Sequence, residues 1–390
     1  MPDLEEMELG GGRGERRREV SADSVPWAVV GLTVGYFALS LAIGFFNKWA
    51  LGTRWRGGAG FTFPFFYSTM HMIFSFLVVS LIFLVAPMLN TLSWRQFKQH
   101  WVWIVTLSLL YSITIACNNS SVNDVSLAAR YITSGFTPLS TLVLSYFLEQ
   151  KGYNLFVIAL VCLQVGCECL AVPQDDAPTT AYGVFLGVLA MLAAAGKPVV
   201  AGILMRGRQQ TGLTPLVLVW YYTAFSSVIM GLLTWISYSE RSYLYIELRS
   251  QTARSLLAIS ASSILAAAYN ILMFFLTLVT SALTNSVLGN VKQVLFILIT
   301  CVFMTSSDYP APGLNALSWL GVVSVFLVTV MYAYTLTSSK SWWWRGAAIA
   351  DAGADGLSTP LANGQKGILI SENSKLLEGQ AEAKTCCCIS

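Results

Sequence analysis

A chain of 390 residues that is 55% hydrophobic and only 11% charged lies far from the balance of a soluble globular domain. The net charge of +3 says little by itself, and no nucleic-acid partner is expected. The eight cysteines follow neither a disulfide framework nor a zinc spacing, so no metal and no cofactor is expected.

Apolar runs recur along the chain at 27–47, 62–86, 101–118, 124–147, 154–171, 181–204, 214–238, 255–278, 281–306 and 313–337. Each is long enough to cross a hydrocarbon core of about 30 Å as a helix. The expected architecture is an all-α polytopic membrane protein with ten spans, in contact with membrane lipids. Residues 1–26 form an N-terminal tail, 27–337 the membrane domain and 338–390 a C-terminal tail, polar enough from Gly346 on to be read as disordered. With the N-terminus in the cytosol, Lys and Arg divide eleven against six in favour of the cytosolic flanks, which places both termini there. Met1 to Pro26 lacks the short apolar core of a cleavable signal and the look of a transit peptide. The first span is therefore read as a retained anchor, delivered through the endoplasmic reticulum.

The first span ends in Phe46-Asn47-Lys48-Trp49, where Lys48 and Trp49 suit a membrane surface. The second opens on Phe63-Pro64, with Pro at home in a first helical turn, and carries His71 below it. A lone His in a helix serves either as a hydrogen-bonded packing residue or as a ligand contact. Spans three and four are expected to meet in a turn at Asn118-Asn119-Ser120-Ser121; both Asn residues match a glycosylation pattern, but the loop is too short for either to be modified. The fourth span bears Arg130 amid Ser126, Thr133, Ser134, Thr137 and Thr141. Hydroxyls at that spacing glue membrane helices together but do not explain the Arg, for which Asp124 is a local partner to consider. Glu168 sits in the fifth span, and Gly196-Lys197-Pro198 in the sixth, where Pro198 is expected to open the helix locally beside a cation.

The most informative stretch is Thr280–Thr300, TSALTNSVLGNVKQVLFILIT. Lys292 is its one formal charge, and a mid-membrane Lys costs roughly 2.5–3.5 kcal/mol to insert. Ser281 and Asn285, eleven and seven residues earlier, return to nearly the same face. Gly289, one turn before Lys292, leaves room for something to approach. Within the membrane Arg130, Lys197 and Lys292 face one clear acid, Glu168; pairing it once leaves two cations unmatched, at a cost of roughly 5–7 kcal/mol. A bound anion offsets this, and a flexible phosphorylated solute suits Lys as a point charge.

These motifs resemble the drug/metabolite transporter superfamily, in its branch of nucleotide-sugar transporters and triose-phosphate translocators, over about residues 27–337. The likeness is carried by Phe46–Trp49, by Phe63-Pro64 with Thr69-Met70-His71, and above all by Ser281-Ala282-Leu283-Thr284 with Ser286, Gly289 and Lys292. The resemblance implies two inverted five-helix halves and exchange of a phosphorylated solute by alternating access. Lys292 carries over directly, and Lys197 stands where many relatives have Arg. Two departures stand out: a fourth-helix Lys of many relatives falls where this chain has Ile132 and Thr133, and Gln293 follows Lys292 where many triose-phosphate relatives have Arg. A smaller basic cluster favours the nucleotide-sugar branch.

The expectation is therefore an antiporter, not an enzyme, in the Golgi or endoplasmic reticulum membrane, exchanging a nucleotide-sugar for a nucleoside monophosphate. Its substrate contacts are expected from Lys292, Lys197, Arg130, Asn285, Ser281, Thr284, His71 and Lys48. A sugar-phosphate/phosphate exchanger is the alternative on the same fold. A membrane-embedded transferase, for which Asp175-Asp176 is a poor metal-binding candidate, and a non-transporting scaffold come from other classes. A homodimer is left open. At the C-terminus, Cys387-Cys388-Ile389-Ser390 fits a prenylation box, with Cys386 placed for palmitoylation; the competing reading is a chance match.

Overall fold

The computed structural model describes residues 24–51, 63–121, 124–172, 179–206, 213–250, 253–303 and 314–355, all of it helix, turn or irregular chain. The longer helices are α1 (Ser24–Leu51), α2 (Pro64–Val85), α3 (Trp94–Ser120), α7 (Ala181–Arg206), α8 (Pro215–Ile236), α10 (Ala253–Val279), α11 (Ala282–Phe303) and α12 (Ala316–Asp355). Each of these eight contains a stretch long and apolar enough to cross a membrane. Shorter helices are α4 (Leu127–Gly135), α5 (Thr137–Leu144), α6 (Leu155–Ala171) and α9 (Tyr238–Ser250). A polytopic helical membrane protein is the architecture this composition requires, because only helices satisfy their own backbone groups in lipid.

Local sequence sets the helix starts. Pro64 and Pro215 occupy first turns, where the missing N–H costs nothing. Ser126, Asn154 and Thr214 cap α4, α6 and α8 by accepting from Ala129, Phe156 and Val217 N–H. The start of α2 has a cap from elsewhere in the chain: Glu240 of α9 accepts from Phe65 N at 2.9 Å and Phe66 N at 2.8 Å. A carboxylate there also meets the positive end of the helix dipole.

Residues through Tyr332 form one compact unit, in which α3 packs along α7, α2 along α8, and α1 along α10. Its core is apolar and aromatic, with Ile104, Leu107, Val217, Tyr222 and Phe274 fully buried. Glycines permit the closest approaches: a Cβ at Gly35 would come within 3.0 Å of Leu272, and one at Gly44 within 2.8 Å of Phe296. From Ala333 the chain belongs to a second unit, whose described part is the end of α12. Helix there extends past Gly346 through the Ala-rich run to Asp355, as the high helix propensity of Ala allows.

Three local expectations are corrected. Helix α3 runs on to Ser120, so the expected turn at Asn118–Ser121 is largely its last turn. Helix α7 is continuous through Pro198, with no opening there. A single proline removes one hydrogen bond, and packing against α3 and α5 holds the rest of the helix together. The break lies instead in segment 124–147, which is divided into α4, α5 and a π-helical turn at Ser145–Glu149. Phe136 both ends α4 and starts α5, with Pro138 in the first turn that follows.

A break inside a membrane domain frees backbone carbonyls, and α11 satisfies them. Asn290 Nδ2 donates to Gly135 O at 2.8 Å, and Gln293 Nε2 donates to Tyr131 O at 3.1 Å. Ser134 Oγ donates to Gln293 Oε1 at 2.9 Å, while Thr141 Oγ pairs with Ser286 Oγ at 2.7 Å. The hydroxyls of this segment therefore act as interhelical glue, and Gln293 belongs to the same seam.

A candidate site of two lysines and a tyrosine cage

Lys292 lies ten residues into α11, about 15 Å from its start and close to the middle of the helix. Its Nζ sits 5.7 Å from the ring centres of both Tyr36 on α1 and Tyr269 on α10. Those two rings stack at 5.4 Å. Lys197 on α7 places its Nζ 4.5 Å from the ring of Tyr111 on α3, which in turn stacks on Tyr222 of α8 at 4.3 Å. The two ammonium groups are near enough to repel each other, and Tyr111 is near enough to Tyr36 and Tyr269 to interact with both. Six helices thus converge on one cluster.

Both lysines are only half-buried by surface, and Lys197 is closely surrounded by protein. A lysine that keeps accessible surface so far along its helix has room beside it. Gly289 agrees, since a Cβ built there meets nothing within 4 Å. Among the described residues, neither lysine forms an ion pair; the pair that does form is Lys151 with Glu149, at 3.0 Å. Cation–π contact is worth about 2 kcal/mol when desolvated, so the three ring contacts come near the insertion cost of two interior cations but leave both charges unneutralised. An anion between them supplies what the protein does not.

Glu168 does not reduce that charge. It is fully buried on α6, no donor meets its oxygens in good hydrogen-bond geometry, and its hydrogen-bonding neighbour is the side-chain amide of Asn290. The sequence sum allowed it to neutralise one cation; among the described residues it forms no ion pair.

The remaining candidates divide by position. Asn285 donates from Nδ2 to Thr277 Oγ at 2.9 Å and leaves its buried Oδ1 without a partner. Ser281 and Thr284 belong to the start of α11: Ser281 Oγ accepts from Thr284 N at 3.0 Å, and Thr284 Oγ contacts Tyr332 Oη at 3.2 Å. His71 lies in a separate polar chain, 3.4 Å from Ser262 Oγ, which pairs with Tyr67 Oη at 2.8 Å; Tyr67 donates onward to Asn47 at 3.0 Å. Arg130 is half-buried on α4; its charge senses Tyr131 and forms no ion pair with Asp124. The side chain of Lys48, and residues Asp175, Asp176, Cys386 and Cys387, lie outside the described residues. Among the described residues no group of His, Cys, Asp or Glu could hold a metal ion.

Sequence reasoning missed Tyr36, Tyr111 and Tyr269. A signal was present, because membrane tyrosines concentrate at the two interfaces and these three lie inside their spans. Nothing in the sequence joins them to the lysines, since the contacts run between distant helices.

Eight helices long and apolar enough to cross a membrane, with no strand among the described residues, define a polytopic membrane protein, and two lysines lie against tyrosines within it. Its homologues are nucleotide-sugar transporters and sugar phosphate/phosphate translocators. The chain is 24% identical over 299 residues to UDP-uronic acid transporter 1 of Arabidopsis thaliana, covering 75% of this chain and 93% of that protein. It is 26% identical over 267 residues to a probable sugar phosphate/phosphate translocator of the same plant, covering 67% and 70% respectively. A solved crystal structure shares the fold with a TM-score of 0.53 at 14% identity, covering 78% of this chain and 98% of the other. No family model matches the chain.

Proposed function

We propose that this protein is an antiporter that exchanges a cytosolic nucleotide-sugar for a nucleoside monophosphate across a Golgi or endoplasmic reticulum membrane. The observation that carries the reading is the pair Lys197–Lys292, two uncompensated interior cations beside open space. A phosphate group matches that charge, and the stacked tyrosines offer flat faces and hydroxyls to the rest of a nucleotide. The names of relatives such as UDP-uronic acid transporter 1 point to the same solute class.

Alternating access needs two interchangeable halves, and the helix contacts support ten spans arranged that way. The segments are taken in order as α1, α2, α3, α4 with α5, α6, α7, α8, α10, α11 and α12. Adding five to each position turns the third–sixth contact, α3 with α7, into the eighth–first, α10 with α1. The same shift turns α2 with α10 into α8 with α3, and α5 with α7 into α11 with α1. All six contacts are present, whereas α7 with α11 and α7 with α10 have no counterpart of comparable extent between α1 and the fourth segment or α3.

The test is uptake into proteoliposomes preloaded with counter-substrate. Nucleotide-sugar entry that depends on a nucleoside monophosphate inside is the expected result. Entry of sugar phosphates against phosphate is the second reading, which relatives named sugar phosphate/phosphate translocators favour. Hydrolysis or group transfer without uptake would instead indicate the transferase.

A further inference from the structure

We propose that Glu168 is a proton-binding site, and that loss of its proton loosens the contact between the broken fourth segment and α11. The inference goes beyond the exchange reading and rests on a different part of the molecule.

The carboxyl group is fully buried, no donor meets its oxygens in good hydrogen-bond geometry, and the side-chain amide of Asn290 is its hydrogen-bonding neighbour. It is pressed onto the helix break itself: a Cβ at Gly135 would lie 3.1 Å from Glu168 Cδ and 3.3 Å from Oε2. Asn290, its polar neighbour, already donates to Gly135 O. An ionised carboxylate here would be isolated in low dielectric, which proteins avoid by protonation, pairing or exposure.

Pairing is not available. Helix α6 packs against α4, α5 and α11, and Gly321 of α12 meets it at Ala171. The titratable groups on those elements are Arg130 and Tyr131 on α4, Lys292 and Cys301 on α11, and Tyr332 on α12, with none on α5. Tyr334, Lys340, Arg345, Asp351 and Asp355 follow on α12, at least 13 residues after Gly321. The π-helical turn adds Tyr146 and Glu149, and α6 itself carries Cys162, Cys167 and Cys169. Cys169 interacts with Glu168 electrostatically, and no cation forms an ion pair with it among the described residues. Protonation and exposure are the two states that remain.

Exposure then comes from movement of α4 or α11, because Gly135 and Asn290 lie against the carboxyl. Asn290 stands two positions before Lys292, so a shift at this seam reaches the cationic site. In the closed seam the carboxyl holds a proton. As the seam loosens, the O–H bond breaks, the proton passes to water and a solvated carboxylate remains. Reclosure takes the proton back.

Two measurements on the purified full-length protein test this. Infrared difference spectroscopy should show a protonated-carboxyl band at neutral pH that is absent from Glu168→Gln. Amide hydrogen exchange of the segment 131–138 should be similar in both proteins at low pH. At alkaline pH it should be about tenfold or more faster in the wild type, since an uncompensated buried charge is worth several kcal/mol. Glu168→Asp, which keeps the acid, should retain the pH response. A band that persists in Glu168→Gln, or equal exchange at every pH, overturns the proposal. A response to sodium at constant pH in place of protons does so as well. If both signals are present but no nucleotide-sugar or sugar phosphate is exchanged, the proposed function fails and the proton site stands.

Discussion

Lys292 is the residue on which the cationic site depends most. Lys292→Ala should leave the protein folded and delivered while lowering counterflow at least ~30-fold, the effect of losing about 2 kcal/mol of charge pairing. Lys292→Gln should fail alike, because shape without charge leaves a phosphate unmatched. Near-normal uptake by either variant would remove Lys292 from the site. Lys197→Arg should stay active, since a guanidinium keeps the charge and stacks on Tyr111 as an ammonium does. Arg130→Ala should change the half-saturating substrate concentration by less than about twofold, as Arg130 interacts with Tyr131 and not with the lysine pair. A tenfold rise would bring Arg130 into the site. The cations were legible in the sequence because a charge in an apolar run is conspicuous. The tyrosine faces beneath them were not, because a Tyr in such a run is unremarkable until its neighbours are known.

Among the elements, α11 does most to organise the rest. One side faces the open interior with Gly289 and Lys292; another joins the broken segment through Ser286, Asn290 and Gln293. Asn290→Ala strands the Gly135 carbonyl in the interior and should cost about 1–3 kcal/mol, read as a lower midpoint of thermal unfolding in detergent. An unchanged midpoint would mean that another group or water satisfies that carbonyl. At the other junction, burial raises the carboxyl of Glu240 above its ordinary value, more than its two backbone hydrogen bonds lower it. A raised folded pKa means that the folded state binds the proton more tightly than the unfolded chain does. Its contribution is therefore fully present below the ordinary carboxylate range and is lost as pH rises through the raised value. The stability difference between wild type and Glu240→Gln should shift against the wild type across that window and be flat elsewhere. A difference that grows in favour of the wild type with rising pH would show the hydrogen bonds outweighing burial.

For the whole molecule the open question is orientation. From the bias of Lys and Arg we propose that both termini lie in the cytosol, where prenylating enzymes work. If Cys387-Cys388-Ile389-Ser390 is processed, intact-mass measurement of the C-terminal peptide should show farnesyl on Cys387 and loss of the last three residues. A peptide still ending in Ile389-Ser390 without lipid would reduce the motif to a chance match. A lipidated one would fix the side of every helix before it. Eight helices long enough to cross a membrane need no lipid to stay anchored, so transport by a variant lacking Cys387 should be unchanged.

The sequence by itself determined that this is a helical membrane protein, where most helices run, and that Lys197 and Lys292 lie inside it. Hydrophobic run length and the high cost of a buried charge are local properties, written in the order of residues. Tertiary structure decided what those properties leave open. It kept α7 whole through Pro198, because helix packing outweighs one lost hydrogen bond. It broke the fourth segment at Phe136–Pro138, where α11 supplies donors for the freed carbonyls. It also left Glu168 without an ion pair among the described residues, though charge counting alone would have paired it. Each outcome depends on which distant helix lies alongside, and residue order does not encode that until the chain has packed.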